Sequence, residues 1–478
     1  MSDPFFILAV GLVIVVGGII GLRLHPFLAL LLGALAVAMI TPSTAIESYA
    51  LSTGSSPQAA SQLAGSSIGD RVASRFGATV GQIGILIAMA SIIGKCLLDS
   101  GGAERIVRST LKVTGVSKAP VTFLGSSFFL GIPVFFDTVF YLMIPLAKAM
   151  AIRIGKNYLL LVLAVAAGAA MANSLVPPTP GPLFLASEMK IPLGMMMLGG
   201  TIVGLFTIAI GYAYAVWANN RWPIPVRDSI DAPLKNIKAL ASEDDRHLPG
   251  LWLSLLPIII PLFFITAQAT LEAYGMQSSP HLLLNAAIKV IEFLGEKNIA
   301  LISGGLAALL LLVLKKRQDK SSVGEAVQAA LMSGGIIILI TAAGGAFGGM
   351  LQQTGISMRI AELTQGFQMA LIPLAFLITA VVRTAQGSAT VAMITASGIL
   401  AGMSDTSMLE YHPLYIGLSI ACGSKLIPWM NDSGFWIVCK MSGLTEKEAL
   451  QTFSPMLTIM GIGGLIIIMI GAQLIPLN

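Results

Sequence analysis

The chain has 478 residues, of which 55% are hydrophobic and 11% charged, whereas soluble proteins have roughly 45–50% and 25%. Its formal net charge is +5, from 28 Lys and Arg against 23 Asp and Glu, and no basic tail accompanies this surplus. These values exclude a soluble globular protein and do not support nucleic-acid binding, and they predict an all-α protein that crosses the membrane many times.

The first half of the chain predicts membrane spans with two interruptions. The apolar run from Phe5 to Leu22 lacks the basic segment and small-residue cleavage site of a signal peptide, so we expect it to remain as the first span. A re-entrant hairpin is predicted at about 120–147, where Gly131 and Pro133 interrupt an apolar stretch. A broken helix is predicted at about 158–190, where several prolines interrupt the next stretch.

The second half repeats this order after a predicted cytoplasmic linker at 218–250. A second hairpin is expected at about 369–403, and a second broken helix at about 411–443. The domain organisation is therefore a first repeat at 1–217 and a second at 251–478.

The two repeats are predicted to have opposite orientations in the membrane. Residues 94–106 match 348–360 at a constant offset of 254. The intervals 100–120 and 148–157 contain seven basic residues, whereas their counterparts in the second half contain one. Because cytoplasmic loops are rich in Lys and Arg, the basic intervals are expected in the cytoplasm and both termini in the periplasm. Inverted-topology repeats with paired broken helices are typical of secondary transporters.

Three motifs at these interruptions carry a family resemblance. They are Pro177-Pro-Thr-Pro-Gly-Pro182, Gly387-Ser-Ala-Thr-Val-Ala-Met-Ile-Thr395 and Asn431-Asp-Ser-Gly-Phe-Trp436. The sequence resembles the gluconate permease family, which are gluconate:proton symporters of the ion-transporter superfamily, over nearly its whole length. The resemblance implies a dimeric secondary active transporter of the bacterial inner membrane, which imports a sugar acid such as gluconate, or a related small hydroxy acid, by proton symport with alternating access.

The sequence departs from the family pattern at three positions near the motifs. The family usually has His at the position of Thr179, Glu near Asp137 and Pro at the position of Ser433. These departures bear on the identity of the substrate more than on the class of protein. No cofactor is expected, since the proton is the coupling ion, and no metal site is predicted.

The ionisable residues within the apolar segments are the first candidates for function. Arg383 could hold a substrate carboxylate through two hydrogen bonds, or could pair with an acid of the other half. Lys425 is a second candidate cation, or could extend from a helix end to the surface. Asp137 and Asp432 are candidates for proton coupling, and Asp432 also for substrate contact, but either could instead cap a helix.

Uncharged polar residues at the interruptions are candidates for binding substrate hydroxyls. Those at the tip of the second hairpin could equally serve helix packing, and those at the broken helices could equally satisfy backbone groups that the prolines leave free. The tip residues are Ser388 and Thr390, and the residues at the broken helices are Asn173, Ser174, Thr179 and Asn431.

Three other functions are alternatives to a proton-coupled transporter. Sodium coupling in a carboxylate transporter of the same fold stays open, because oxygen-bearing side chains at helix breaks can bind Na⁺ as well as transfer protons. An intramembrane enzyme is disfavoured, since Gly65-Ser-Ser-Ile-Gly69 fits G-x-S-x-G but lies in a Ser- and Gly-rich external loop. A channel would not require paired inverted breaks with buried acids.

Overall fold

The computed structural model describes residues 3–229, 248–273, 282–316, 320–356, 359, 368–400 and 409–477, and regular structure in these ranges is helical. The first half contains α1 (Pro4–Ile20), α2 (Pro26–Ile40), α3 (Ser43–Ser52), α4 (Pro57–Gly65), α5 (Ile68–Asp99), α6 (Gly102–Thr114), α7 (Ala119–Leu130), α8 (Phe136–Ile154), α9 (Tyr158–Leu175), α10 (Pro180–Glu188) and α11 (Leu193–Arg221). The second half contains α12 (Leu251–Ala273), α13 (Leu282–Gly295), α14 (Lys297–Lys315), α15 (Lys320–Gln352), α16 (Leu371–Gln386), α17 (Ala389–Leu400), α18 (Leu414–Gly423), α19 (Ser433–Ser442) and α20 (Glu446–Leu474).

Many of these helices have the length and composition of membrane spans. Eight stretches of the described chain are long and apolar enough, and α2 joined to α3, with a bend of 101°, would be a ninth. Since a helix rises about 1.5 Å per residue and the hydrocarbon core is about 30 Å thick, about 20 apolar residues suffice to cross it. The prediction of an all-α polytopic membrane protein is confirmed.

Local capping signals determine where several helices begin. The Asp3 carboxylate accepts a hydrogen bond from the Phe5 amide at 3.0 Å, and α1 starts between them. Ser67, the serine of the G-x-S-x-G match, accepts one from the Asp70 amide at 3.1 Å and so caps α5. The segment that contains this match was expected to be a loop, but α4 ends at Gly65 and α5 starts at Ile68.

Both predicted broken helices are interrupted. α9 ends at Leu175 and α10 begins at Pro180, because proline lacks an amide hydrogen and its ring obstructs the preceding turn. In the second half, a non-helical stretch that contains Pro428 separates α18 from α19. Each predicted hairpin likewise consists of two helices with a short break: α7 with α8, and α16 with α17. Residues 401–403, at the end of the predicted second hairpin, lie outside the described ranges.

Corresponding helices of the two halves have corresponding neighbours. α7 packs on α9 as α16 packs on α18, and α9 packs on α11 as α18 packs on α20. The two halves also pack against each other. α10 packs on α17, α19 packs on α8, and α5 packs on α15. This arrangement is the one expected for an internal repeat. The opposite orientation of the repeats in the membrane stays a prediction.

The described beginning of the predicted linker is attached to the second half. α11 continues to Arg221, and the chain then passes the start of α20, where Arg227 forms an ion pair with Glu448 at 2.8 Å. Ser229 Oγ donates to the Met441 carbonyl at 2.9 Å. The remainder of the linker, from 230 to 247, lies outside the described ranges.

Candidate functional site

The tip of the second hairpin lies against the break between α18 and α19. α16 ends at Gln386, and Gly387 has a φ of +89°, the left-handed conformation that glycine adopts without strain. A side chain on Gly387 would overlap the Asn431 carbonyl oxygen. Glycine is therefore required both for the turn and for the close approach of the two broken segments.

Arg383, one turn before this tip, has a buried guanidinium whose three nitrogens all donate hydrogen bonds. Nε donates to the Ser424 carbonyl at 3.0 Å, and Nη1 donates to the Gly387 carbonyl. Nη2 forms an ion pair with Asp432 Oδ2 at 2.5 Å, and the exposed fractions of the two side chains are 3% and 14%. Arg383 thus pairs with an acid of its own half. The alternative predicted for it, a pair with an acid of the other half, is not observed within the described ranges.

Asp432 uses both carboxylate oxygens. While Oδ2 accepts from Arg383, Oδ1 accepts from the Gly434 amide at 2.9 Å and caps α19. The predicted capping role and a position beside the candidate cation are therefore both observed for this residue. Because the two charges cancel, the pair is electrically neutral when nothing else is bound.

Asn431 closes the C-terminal end of α16. Its Nδ2 lies 2.9 Å from the Thr384 carbonyl and 3.3 Å from the Ala385 carbonyl, which have no partner within the helix. Trp429 also donates to the Thr384 carbonyl, at 2.9 Å. The Asn431 amide nitrogen therefore serves the structure, while Oδ1 is buried and has no hydrogen-bond partner among the described residues.

Lys425 lies at the same break and is buried, with 5% of its surface exposed. It is within electrostatic range of Arg383 and Asp432, and no described residue forms a hydrogen bond with its amine. A side chain that extended to the membrane surface, the alternative considered for Lys425, would not be buried in this way. The break between α18 and α19 thus brings a second basic group to the neutral pair.

The break of the first half contacts that of the second half through two serines. Ser174 Oγ lies 3.5 Å from Ser424 Oγ, and the carbonyl of Ser424 accepts from Arg383. Thr179 is buried, and its hydroxyl lies 2.8 Å from the Asn173 carbonyl and 2.9 Å from that of Val176, so it satisfies backbone groups that end α9. The Asn173 side chain is half-buried at the same end of α9.

The N-termini of four short or broken helices face this region. At the start of α19, a methyl group on Gly434 would lie 3.3 Å from the ring of Phe136, the first residue of α8. At the start of α10, a methyl group on Gly181 would lie 3.7 Å from Thr390 Cα in α17. Free amides at helix N-termini carry partial positive charge. Together with the approach of Gly387 to Asn431, these contacts link the four N-termini around the tip of the second hairpin.

The remaining predicted residues lie at two of these N-termini. Ser388 Oγ accepts from the Val391 amide at 3.3 Å and thereby caps α17, and Thr390 is half-buried in the first turn of that helix. Asp137 lies in the first turn of α8, next to Phe136, and is exposed. The structure therefore groups Arg383 and Asp432 directly, while Asp137 lies at the neighbouring N-terminus.

Gln386 was not among the predicted site residues. It is the last residue of α16, is 9% exposed, and neither its Nε2 nor its Oε1 has a hydrogen-bond partner among the described residues. Its position directly before Gly387 was the available signal. Gln386 has neither a charge nor a hydroxyl group, so its residue type alone gives no signal of a role in binding.

Comparison with known proteins decides the family. The sequence profile described as "GntP family permease" matches residues 58–475. The chain belongs to this family. It is also 30% identical to an "Uncharacterized permease" of Haemophilus influenzae, with 98% of this chain and 92% of that protein covered. A "Gluconate permease" of Zymomonas mobilis is 28% identical, with 82% of this chain and 85% of that protein covered.

As a GntP family permease, the protein is a transmembrane transporter of a small molecule and not an enzyme. The recognition made from the three motifs is confirmed. The fold also resembles a solved structure, the YdaH transporter of Alcanivorax borkumensis, at a TM-score of 0.58 and 13% identity, with 85% of this chain and 88% of that chain covered. At this identity the likeness concerns the fold alone.

Proposed function

We propose that this permease imports a sugar acid such as gluconate together with a proton, by alternating access. The observation that carries the proposal is the buried Arg383–Asp432 pair, which lies where the N-termini of the broken helices meet. A guanidinium and free helix amides are the groups that bind a carboxylate most strongly in a site without bulk water. The family relationship to a gluconate permease supports the choice of substrate.

The neutrality of the pair supports coupling to a cation. A monoanion that enters beside Arg383 and Asp432 adds one negative charge to a buried region, and an unpaired buried charge is costly. One accompanying proton restores the balance. Asp432 and Lys425 are the groups beside Arg383 that could hold it, and Asp137 is a further candidate at the adjacent N-terminus.

Alternating access is supported by the repeated packing of the two halves. Each half contributes a hairpin and a broken helix to the region around the pair, and the hairpin of one half contacts the broken helix of the other. Two equivalent sets of contacts allow the protein to break one set while the other forms, so that the binding site opens to one side of the membrane or to the other. We further propose a homodimer in the bacterial inner membrane, on the family resemblance alone.

The test is uptake of labelled gluconate into proteoliposomes that hold an inward proton gradient and no sodium. We expect accumulation that a protonophore abolishes, because dissipation of the gradient removes the driving force. Competition by unlabelled idonate, fructuronate and glycerate will rank related acids. Vesicles with a sodium gradient but no proton gradient serve as the control.

Each other outcome assigns a different function. Accumulation with the sodium gradient alone would replace the proton by Na⁺ as the coupling ion. Equilibration without accumulation under either gradient would contradict symport. If none of these acids is transported or competes, the sugar-acid proposal is wrong.

A further inference from the structure

We infer that Gln386 binds the hydroxyl groups next to the carboxylate of the transported acid. The inference rests on the proposed function, since it concerns the same site and names the part of the substrate that this residue recognises. Gln386 is 9% exposed, and both polar atoms of its amide lack a partner among the residues that the structure describes. Buried amides without partners are rare in folded proteins, and each calls for an explanation such as an absent ligand.

The position of Gln386 on α16 relates it to the candidate cation. Arg383 and Gln386 are three residues apart on one helix, so they are neighbours on its surface, with Cβ atoms about 5–6 Å apart. A sugar acid whose carboxylate binds Arg383 would place its first hydroxyl-bearing carbons within reach of Gln386. The hydroxyls at the second and third carbons are the ones at this distance.

A second unpartnered atom lies across the tip. Asn431 is held in one orientation, because its Nδ2 donates to the carbonyls of Thr384 and Ala385. Its Oδ1 therefore cannot turn away, and it is buried without a partner in the described part of the chain. Gln386 follows Ala385 directly, so the two amides flank the same turn.

The three free atoms complement a hydroxyl pair. Gln386 offers one acceptor and a donating NH₂ group, and Asn431 offers a further acceptor. Each substrate hydroxyl can donate one hydrogen bond and accept others, so two adjacent hydroxyls can satisfy all three atoms. A site of this kind discriminates strongly against an analogue that lacks a hydroxyl, because the protein groups are then left unpaired.

The test is calorimetric titration of the purified protein with gluconate, 2-deoxygluconate and 3-deoxygluconate, for the wild type and Gln386→Met. Removing a hydrogen bond between buried groups weakens binding by about tenfold. We expect the wild type to bind at least one deoxy acid about tenfold more weakly than gluconate. In Gln386→Met, gluconate itself should bind about tenfold more weakly, and this discrimination should fall to less than about twofold.

Thermal unfolding of the ligand-free protein separates recognition from a structural role. Methionine has a similar shape and no polar group to leave unpaired, so Gln386→Met should be at least as stable as the wild type. Ser126→Ala, which removes another buried hydroxyl without a partner, on α7, should leave gluconate affinity unchanged.

The outcomes are distinct for the two proposals. A wild type that binds gluconate, together with a Gln386→Met variant that discriminates as well as the wild type, would overturn the role of Gln386 alone. A Gln386→Met variant that unfolds at a lower temperature would show a structural role. A wild type that binds none of the three acids would overturn the proposed substrate instead.

Discussion

The guanidinium of Arg383 has both a structural role in the folded protein and a proposed role in substrate binding. Two hydrogen bonds to backbone carbonyls and an ion pair hold Arg383 in the folded protein, yet the same group is the strongest candidate to bind the substrate carboxylate. These roles are compatible if the substrate approaches a part of the guanidinium or changes places with Asp432. A variant at Arg383 alone would therefore confuse folding with binding.

A pair of substitutions separates the two effects. Arg383→Gln leaves the Asp432 carboxylate buried without its cation and should cost about 3–5 kcal/mol of stability. Arg383→Gln combined with Asp432→Asn removes both charges, so its thermal stability in detergent should return most of the way to that of the wild type. Uptake of gluconate should be lost in both variants, because neither retains the guanidinium.

Lys95 provides the control for a change at an ion pair. It pairs with Asp99 at 2.9 Å, but its side chain is 33% exposed, so Lys95→Met should change stability and uptake little. Uptake at the wild-type rate by the double variant would exclude Arg383 from the binding site.

The sequence indicates the charged part of the site better than the uncharged part. Arg383, Lys425 and Asp432 are recognised from the sequence because placing an ionisable residue in an apolar membrane segment costs free energy, so such residues usually have a function. Within the described part of the chain, the Asn431 Nδ2 forms hydrogen bonds whereas its Oδ1 does not, and this difference depends on which carbonyls lie beside the amide. Those carbonyls belong to a helix some 45 residues earlier, so the sequence around Asn431 does not reveal them. The sequence also cannot predict that the Gln386 amide lacks a hydrogen-bond partner among the described residues, since this is a property of the folded chain.

At the scale of single elements, the tip of the second hairpin depends on one backbone conformation. Gly387 and Gly54 have nearly the same φ, +89° and +86°, but no other atom lies within 4 Å of where a Gly54 side chain would be. A side chain at Gly387 would instead overlap the Asn431 carbonyl. An added side chain would therefore be strained by the backbone conformation at both positions, but would overlap a neighbouring atom only at Gly387.

Gly54→Ala should cost about 1 kcal/mol of stability, the usual cost of a left-handed conformation for a residue with a side chain. Gly387→Ala should cost on the order of 3 kcal/mol or more and abolish uptake, because the tip must also move away from the α18–α19 break. Thermal unfolding in detergent measures both costs. Equal losses of stability would mean that the tip tolerates the movement, and the proposed contact would then be unimportant.

Sequence patterns locate these elements, but not their contacts. Prolines and glycines mark the ends of α9, α16 and α18 because they remove amides or permit unusual backbone angles. The helices α3 and α4 are not predicted from the sequence, since their Ser-rich segments are short and much less hydrophobic than the membrane spans. That α10 packs on α17, and α19 on α8, follows from the three-dimensional arrangement of the halves and has no local signal.

At the scale of the whole molecule, the predicted inversion of the repeats has a direct test. Lys118 precedes α7 and Ala370 precedes α16, so they occupy corresponding positions in the two repeats, and both are exposed. In a background without the three native cysteines, which are buried, Lys118→Cys should react with a membrane-impermeant maleimide only from the cytoplasmic side. Ala370→Cys should react only from the periplasmic side.

Intact cells and inside-out vesicles supply the two sides for this labelling. Ser55→Cys, in the exposed turn between α3 and α4, is a reference for the periplasmic side, where its loop is expected. Labelling of both test positions from the same side would show parallel repeats and contradict the predicted topology.

The proposed stoichiometry, one proton with one monoanion, determines which component of the membrane's energy the carrier can use. The Asp432 carboxylate cancels the Arg383 charge in the empty site, and a monoanion that enters with one proton adds no net charge to it. Loaded and empty forms would then carry the same charge across the bilayer, so the transport cycle would be electroneutral. Membrane voltage, which does about 2.3 kcal/mol of work on each elementary charge per 100 mV, would contribute nothing to accumulation, and the cell would concentrate its substrate only as far as the difference in pH allows.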